Sequence, residues 1–320
     1  MSQTDFRDLN RELARVEQVV KPVYLVGGCV RDALMGKKPH DYDFASPLEP
    51  DDIEKAVRAY GRKPYLAGKR FGTIGFKLDG NVIEVTTFRT ESYPNPGRHP
   101  EVHFETDIEK DLSRRDFSIN AMAYKDKLYD PFNGQKDLKE KRIRSVGDPF
   151  ERINEDPLRM LRAARFASQL GFVVDDEYIE AAQTLRGRLY DVSKERWTME
   201  LDKLLCGGFS AEGIYTLMKM ELLSTIFPEA VILEADPDIH AIRIARALGK
   251  TEALPSTRWA VLFAHLSEGC FGSAGPKDRS EQQLFAQELV KKYGPYLHFS
   301  KAKAFEILAI LNETWSFYIA

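Results

Sequence analysis

The sequence predicts an α+β protein, with a mixed-sheet head over residues 1–147 followed by an all-α remainder, and three observations carry that expectation. Val23 to Val26 is a short apolar run of strand type that passes through Gly27-Gly28 into Cys29 to Met35, a stretch of helical spacing. Thr73 to Lys77 and Val82 to Phe88 read as strands joined at Asp79-Gly80, a strong hairpin turn. From Asp148 to the end the apolar positions recur with a helical period. Strands interleaved with helices, together with a hairpin, describe a mixed sheet.

Taken in order, residues 5–20 form a charged amphipathic helix with Leu9, Leu13, Val16 and Val20 at three- to four-residue spacing, to which only packing is assigned. Pro50 to Tyr60 is a helix with Ile53, Ala56, Val57 and Tyr60 on one face, and Tyr65-Leu66 is a further strand. Residues 90–104 are a Pro-rich loop without periodicity, of the kind that is functional or mobile beside a site. Thr106-Asp-Ile-Glu109 is a capping box, and the helix it starts runs on into Arg114–Ala121. Asp130 to Gly134 is a turn, and Arg142 to Val146 is a last strand that closes the head. Further helices are expected at 175–186, 210–223, 238–248, 257–267 and 280–293. Lys291, Lys292, Lys301 and Lys303 make a modest basic patch, serving either nucleic-acid contact or solubility.

A chain of 320 residues is too long for one simple core. With 43% hydrophobic and 30% charged residues it has an ordinary globular composition. No run approaches the roughly 18 apolar residues of a membrane span, and the first residues lack a signal-peptide hydrophobic region, so a cytoplasmic location is expected. Cys29, Cys206 and Cys270 are odd in number and far apart, which excludes a disulfide framework or a zinc site and leaves buried small side chains. A net charge of -3 means that any RNA contact depends on local basic patches.

The chemistry concentrates between Val23 and Ala45. Glycines at the entry to a helix let backbone N–H groups approach a phosphate, which makes Gly28 a candidate contact, and Arg31 one turn on adds a bidentate grip. Asp41 and Asp43 alternate with Tyr42 and Phe44, so in a strand the two carboxylates share one face while the rings enter the core. Carboxylates held that close repel unless a cation lies between them, and Mg²⁺ is the economical choice. Glu84, in the middle of a β-branched run, is either an exposed strand residue or a third carboxylate that orients or deprotonates an attacking hydroxyl. On a helix through 114–121, Asp116 and Asn120 share a face suited to ribose hydroxyls, and Arg115 reaches a triphosphate. A dinucleotide-binding Rossmann unit is excluded, because Gly27-Gly28 lacks the third glycine and the acidic ribose residue at the expected distance.

Gly-Gly-x-Val-Arg-Asp followed by Asp-x-Asp resembles the class II branch of the nucleotidyltransferase superfamily, which contains the tRNA CCA-adding enzymes and bacterial poly(A) polymerases. Arg114-Arg115-Asp116-Phe117-Ser118-Ile119-Asn120-Ala121 matches that family's Arg-Arg-Asp-x-x-x-Asn-Ala motif in full. Glu155-Asp156-Pro157-Leu158-Arg159 resembles its Glu-Asp-x-x-Arg element, an amino-acid template that selects the incoming base, and Arg162 and Arg165 would contact phosphate or nucleotide. Val192 to Leu205 resembles the element in which Glu195 and Arg196 buttress the template helix. The resemblance is specific from about residue 23 to 205. It implies a catalytic head over 1–147, a neck carrying the base template over 148–206, and a helical body with a short tail over 207–320 that grips RNA. The implied activity is addition of C and A to the tRNA 3′ end from CTP and ATP, with Mg²⁺ on Asp41 and Asp43 and no protein partner or membrane. Alternatives are A-only addition, poly(A) synthesis, or tRNA binding without catalysis. The stretch Gly68-Lys69-Arg70-Phe71 resembles the polymerase branch, but residues 90–104 lack that branch's long insertion. In the CCA-adding enzymes a flexible loop at this place is needed for the final A, and its presence in this chain implies an enzyme able to add A.

The template has a simple physical basis. Asp accepts hydrogen bonds only and Arg donates only. Cytosine and adenine both present an amino donor beside a ring-nitrogen acceptor, whereas uracil and guanine present a carbonyl beside an N–H. Asp156 with Arg159 therefore suits C and A, and each buried mismatch against U or G costs on the order of 1–3 kcal/mol.

Overall fold

Residues 6–93, 101–270 and 279–313 are described by the structure, a computed structural model. Head strands are β1 (Tyr24–Val26), β2 (Asp43–Ser46), β3 (Pro64–Tyr65), β4 (Thr73–Leu78), β5 (Asn81–Thr87), β6 (Arg89–Ser92), β7 (Glu101–Phe104), β8 (Ala123–Tyr124) and β9 (Leu128–Tyr129). Seven of them form one sheet in the order β3-β4-β5-β2-β1-β8-β9. Only β2 and β5 pair parallel, so the sheet is mixed. The β4–β5 hairpin closes through Asp79 at φ 49° and Gly80 at φ 86°, both left-handed, as a tight primed turn requires.

Alternation along these strands sorts the two faces. Leu25, Phe44, Ile74, Phe76 and Val85 point into the larger core, covered by α1 (Arg7–Val16), α2 (Gly28–Leu34) and α3 (Pro50–Ala59). Their neighbours Val26 and Ala45 turn to the other face, where they pack with Phe88, Leu112, Ala121 and Val146 in a smaller cluster beside α4 (Ile108–Ser113). α5 (Gly134–Glu140) precedes a last short strand, β10 (Arg142–Ile143), within the expected 142–146; the first turn of α5 is held by Asp130, whose carboxylate accepts from the N–H groups of Gly134 and Gln135. This helix follows the expected turn at 130–134. Cys29 is buried in the larger core, which pushes its thiol up to about 11.

Three local expectations are corrected by the fold. Of the loop expected over 90–104, Arg89–Ser92 and Glu101–Phe104 pair as a two-stranded antiparallel sheet; residues 94–100 lie outside the described ones. The cap of α4 is Asp107, which accepts from Glu109 N–H at 2.9 Å, in place of the box begun by Thr106. α4 then stops at Ser113. Phe117 is extended and bridges to Ser145, and Ser118–Asn120 is a single 3₁₀ turn.

Residues Met1–Asp148 are one compact unit and Pro149–Ala320 another. The α-helices of the second unit among the described residues are α6 (Pro149–Glu155), α7 (Leu158–Leu170), α8 (Asp176–Leu185), α9 (Lys194–Leu205), α10 (Ser210–Lys219), α11 (Leu222–Ile226), α12 (Val231–Glu234), α13 (Pro237–Gly249), α14 (Pro255–Cys270), α15 (Arg279–Tyr296) and α16 (Lys301–Glu313), with a two-residue strand at Val173–Val174. The helix expected at 210–223 is broken before α11 by Glu221, at φ 55°. Trp197, Phe227, Trp259 and Phe263 are fully buried in this unit, with Trp259 donating to Asp202 at 2.6 Å. The expected basic patch mostly dissolves into ion pairs: Lys291 with Glu288, Lys292 with Glu229, and Lys303 with Asp202. No helix among the described residues is long and apolar enough to cross a membrane.

Candidate active site

A cleft of about 160 Å³ opens on the small-cluster face of the head sheet, lined by Asp43, Thr73, Glu84, Thr86, Arg89, Arg114 and Arg115 among others. Register explains its floor. In the parallel pairing of β2 with β5, Phe44 stands beside Val85 and Ala45 beside Thr86. Asp43 and Glu84, one residue earlier on each strand, therefore stand level on the face opposite Phe44 and Val85, roughly one strand spacing of about 4.8 Å apart. Thr73 and Thr86 sit across the next pair with their hydroxyls 3.0 Å apart.

Asp43 is the electrostatically stressed member. Loss of water raises its carboxyl above the usual carboxylate range, with Arg115 opposing the rise and the charge of Asp41 adding to it. Asp41 itself departs from the expected strand geometry. β2 begins at Asp43, opposite Val26, the last residue of β1, and the chain turns at Gly27 into α2, so the ladder does not extend to Asp41. Its side chain is 88% exposed and lies 3.2 Å from His40. Tyr42 and Phe44 do pack against the larger core. Two hard oxygen donors with mutual repulsion fit a divalent cation that takes its remaining ligands from water and phosphate. Among the described residues no three His, Cys, Asp or Glu side chains are grouped closely enough to hold one by themselves.

The glycine corner adjoins this cleft. Gly27 has φ 73° and precedes α2; a Cβ there would come within 2.8 Å of Arg115 Nη1. Sequence reasoning singled out Gly28, whose added Cβ would meet only ordinary contact at 3.6 Å, and missed that the exacting position is Gly27. Arg31 donates to Asn120 Oδ1 at 2.7 Å and to Asp32 at 2.9 Å. Asn120 in turn donates to Asp116 at 3.4 Å, so these two meet across the extended turn and not along a helix.

A charge network behind the cleft was also missed. Asp111, fully buried, accepts from Arg114 at 2.8 Å, from Arg115 at 3.2 Å and from the Arg89 backbone at 3.3 Å. Burial alone would raise its carboxyl, but the Arg115 and Arg114 guanidiniums hold it below the usual range. Glu91 behaves alike, accepting from Arg89, Arg114 and Tyr93. Arg89 also donates to the Phe71 carbonyl. This lattice fixes the shafts of Arg114 and Arg115, while Arg115 Nε is buried without a hydrogen-bond partner among the described residues. The i,i+3 and i,i+4 spacing of Asp111 to Arg114 and Arg115 is a signal that could have been read.

In the second unit, the acidic group of Asp156 accepts from Leu158 N–H at 3.2 Å at the start of α7 and pairs with Arg196 at 2.9 Å. Arg159 is buried and pairs with Glu155 at 2.6 Å, so Asp156 and Arg159 each have their own partner. Arg165 lies 2.5 Å from Glu200 of α9 and stacks over Phe166, and Arg162 lies 3.8 Å from the same carboxylate. Glu195 reaches His298 at 3.3 Å, away from α7, which leaves the buttress to Arg196.

Comparison with known proteins is consistent with both units. Residues 23–144 match the family model "Poly A polymerase head domain", and residues 171–233 match "Probable RNA and SrmB- binding site of polymerase A". The CCA-adding enzyme of Bacillus subtilis is 45% identical over 202 residues, 62% of this chain and 50% of that protein. The CCA-adding enzyme of Levilactobacillus brevis is 38% identical over 253 residues, 78% of this chain and 62% of that protein. The chain thus spans about half to three-fifths of the length of these relatives. A crystal structure of the Bacillus stearothermophilus CCA-adding enzyme in complex with CTP superposes with a TM-score of 0.71 at 29% identity, covering 97% of this chain and 70% of that one.

Proposed function

The chain belongs to the family of CCA-adding enzymes and poly(A) polymerases, and from that premise we propose that it adds C and A to the tRNA 3′ end without a nucleic-acid template, from CTP and ATP, releasing pyrophosphate. The observation that carries this reading is the level placement of Asp43 and Glu84 beside Arg115 and the Gly27 corner. Carboxylates, cation-rich walls and a glycine entry are what nucleotidyl transfer needs from a protein, because the reaction is mainly positioning and charge stabilisation.

Asp41 and Asp43 would hold Mg²⁺, which supplies activation of the primer hydroxyl and neutralisation of the triphosphate. Glu84, exposed and level with Asp43, orients the primer 3′-hydroxyl or accepts its proton. Arg115, on the cleft wall, turns its outer nitrogens to the triphosphate, joined by Arg31 and the Gly28 backbone. Asp116 and Asn120 take the ribose hydroxyls. Asp156 and Arg159 choose the base, exchanging Arg196 and Glu155 for its Watson-Crick edge. Arg162 and Arg165 act through Glu200, keeping the template helix in place.

The test is to supply CTP or ATP singly, with Mg²⁺, to three RNAs: tRNA lacking the whole CCA end, tRNA lacking only the terminal A, and oligo(A). CCA addition gives C on the first, A on the second and nothing on the third. Extension of oligo(A) indicates poly(A) synthesis instead, and A on the second alone indicates A-only addition. No pyrophosphate release with any of them leaves only an RNA-binding protein.

A further inference from the structure

A second cleft on the head, of about 460 Å³, lies between the start of α1 and the loop that follows α2. Its polar lining is Arg7, Arg11, Lys37 and Lys38 against a single carboxylate, Asp8. We propose that it holds the phosphodiester backbone of the RNA substrate near its reacting 3′ end, an inference that rests on the RNA-directed reading above.

Charge placement carries the argument. On a chain of net charge -3, the described lining of this cleft is locally basic, and Lys37 and Lys38 carry that surplus. Arg11 pairs with Asp8 at 2.9 Å, the one acid among the described lining residues, and also lies 3.7 Å from Glu12. Lys37 and Lys38 are exposed, adjacent in sequence and on one cleft, with no ion-pair partner among the described residues. The loop is also fixed: Lys37 N–H donates to Asp32 and Gly36 N–H to Ala33, and Pro39 is buried beneath it. Leu9, Ala33 and Pro39 supply the apolar lining, with no aromatic ring among the described lining residues for a base to stack on, so the contact is to phosphate and not to base. Lys38 is three residues before Asp41, at most about 11 Å along extended backbone, so RNA whose 3′ end lies at Asp41 passes the lysines within a few nucleotides.

The experiment uses the full chain carrying Lys37→Glu with Lys38→Glu, and separately both as Ala. Binding of tRNA lacking CCA is measured over a salt series, and addition kinetics are run with RNA or CTP varied. Expected for the Ala pair are RNA affinity weaker by roughly tenfold at low salt and a log–log salt slope smaller by about 2, with a larger loss for the Glu pair. KM for RNA rises, while KM for CTP and kcat at saturating RNA stay as in the parent. Unchanged RNA affinity and salt slope overturn the proposal, and so does a rise in KM for CTP alone, which makes the cleft a nucleotide seat. Should the parent bind RNA without extending it and the variants bind less, the cleft stands and the transferase reading falls; should the parent extend RNA and the variants bind normally, only the cleft falls.

Discussion

The Asp43 cleft and the arginine face of α7 hold charge in opposite ways. In the cleft, Asp43 and the level Glu84 stand on adjacent strands, and loss of water holds the Asp43 carboxyl above its ordinary pKa, with Arg115 opposing the rise and the charge of nearby Asp41 adding to it. On α7, Arg159 has Glu155, and Arg162 and Arg165 share Glu200, so the helix is neutralised from within. A site that waits for a ligand displays unbalanced charge that the ligand cancels, whereas a framework cancels its own. By that contrast Asp43 is a working group, whereas the α7 arginines are held by partners of their own, and Arg159 selects a base only by exchanging Glu155 for it.

The contrast breaks most visibly under substitution. Asp43→Ala should lower nucleotide addition by on the order of 10³-fold or more, with the melting temperature kept. Glu200→Gln should do the reverse, costing about 3 kcal/mol of stability in denaturant titration by removing the buried carboxylate that Arg165 faces at 2.5 Å, with addition at permissive temperature largely retained. Asp156→Asn combined with Arg159→Gln places an amide where each charged group stood. Competition between CTP and UTP should then show the preference for C relaxed by roughly tenfold, and an unchanged preference removes these two from base selection.

The smallest effect sharpens the comparison through pH. Because the Asp43 carboxyl is raised in the folded chain, its contribution to stability is intact below the ordinary carboxylate pKa of about 4 and is lost as pH rises through the raised value. Asp43→Asn should therefore melt slightly higher than the parent at pH 7 in the absence of divalent cation, with the gain gone below about pH 4. A gain of equal size at both pH values would contradict desolvation of the carboxylate as the source of the stress on Asp43.

What was legible in the sequence was whatever local chemistry decides. Asp79-Gly80 needs two left-handed residues, Gly27-Gly28 ends a strand, and Asp156 ahead of Pro157 marks the start of α7. What was not legible depended on partners far along the chain. Helix α4 stops short because Phe117 finds Ser145, and Asp41 leaves the pleat because β1 has already ended. The lysines near the C-terminus read as a patch only until Glu229 and Asp202, some sixty and a hundred residues earlier, are seen to claim them. Glu200 gives no local sign that it neutralises two arginines of another helix. The candidate contacts of Asp116 with Asn120 were reached by the wrong local path, since the extended turn makes the meeting that a helix was expected to make.

Most direct for the central claim is the length of tRNA lacking its CCA end after incubation with CTP, ATP and Mg²⁺ and either the parent chain or Asp43→Asn. The account predicts that the parent extends the RNA to the full CCA terminus and that the variant leaves it unextended while remaining folded. Equal extension by both chains would contradict it, as would no extension by the parent.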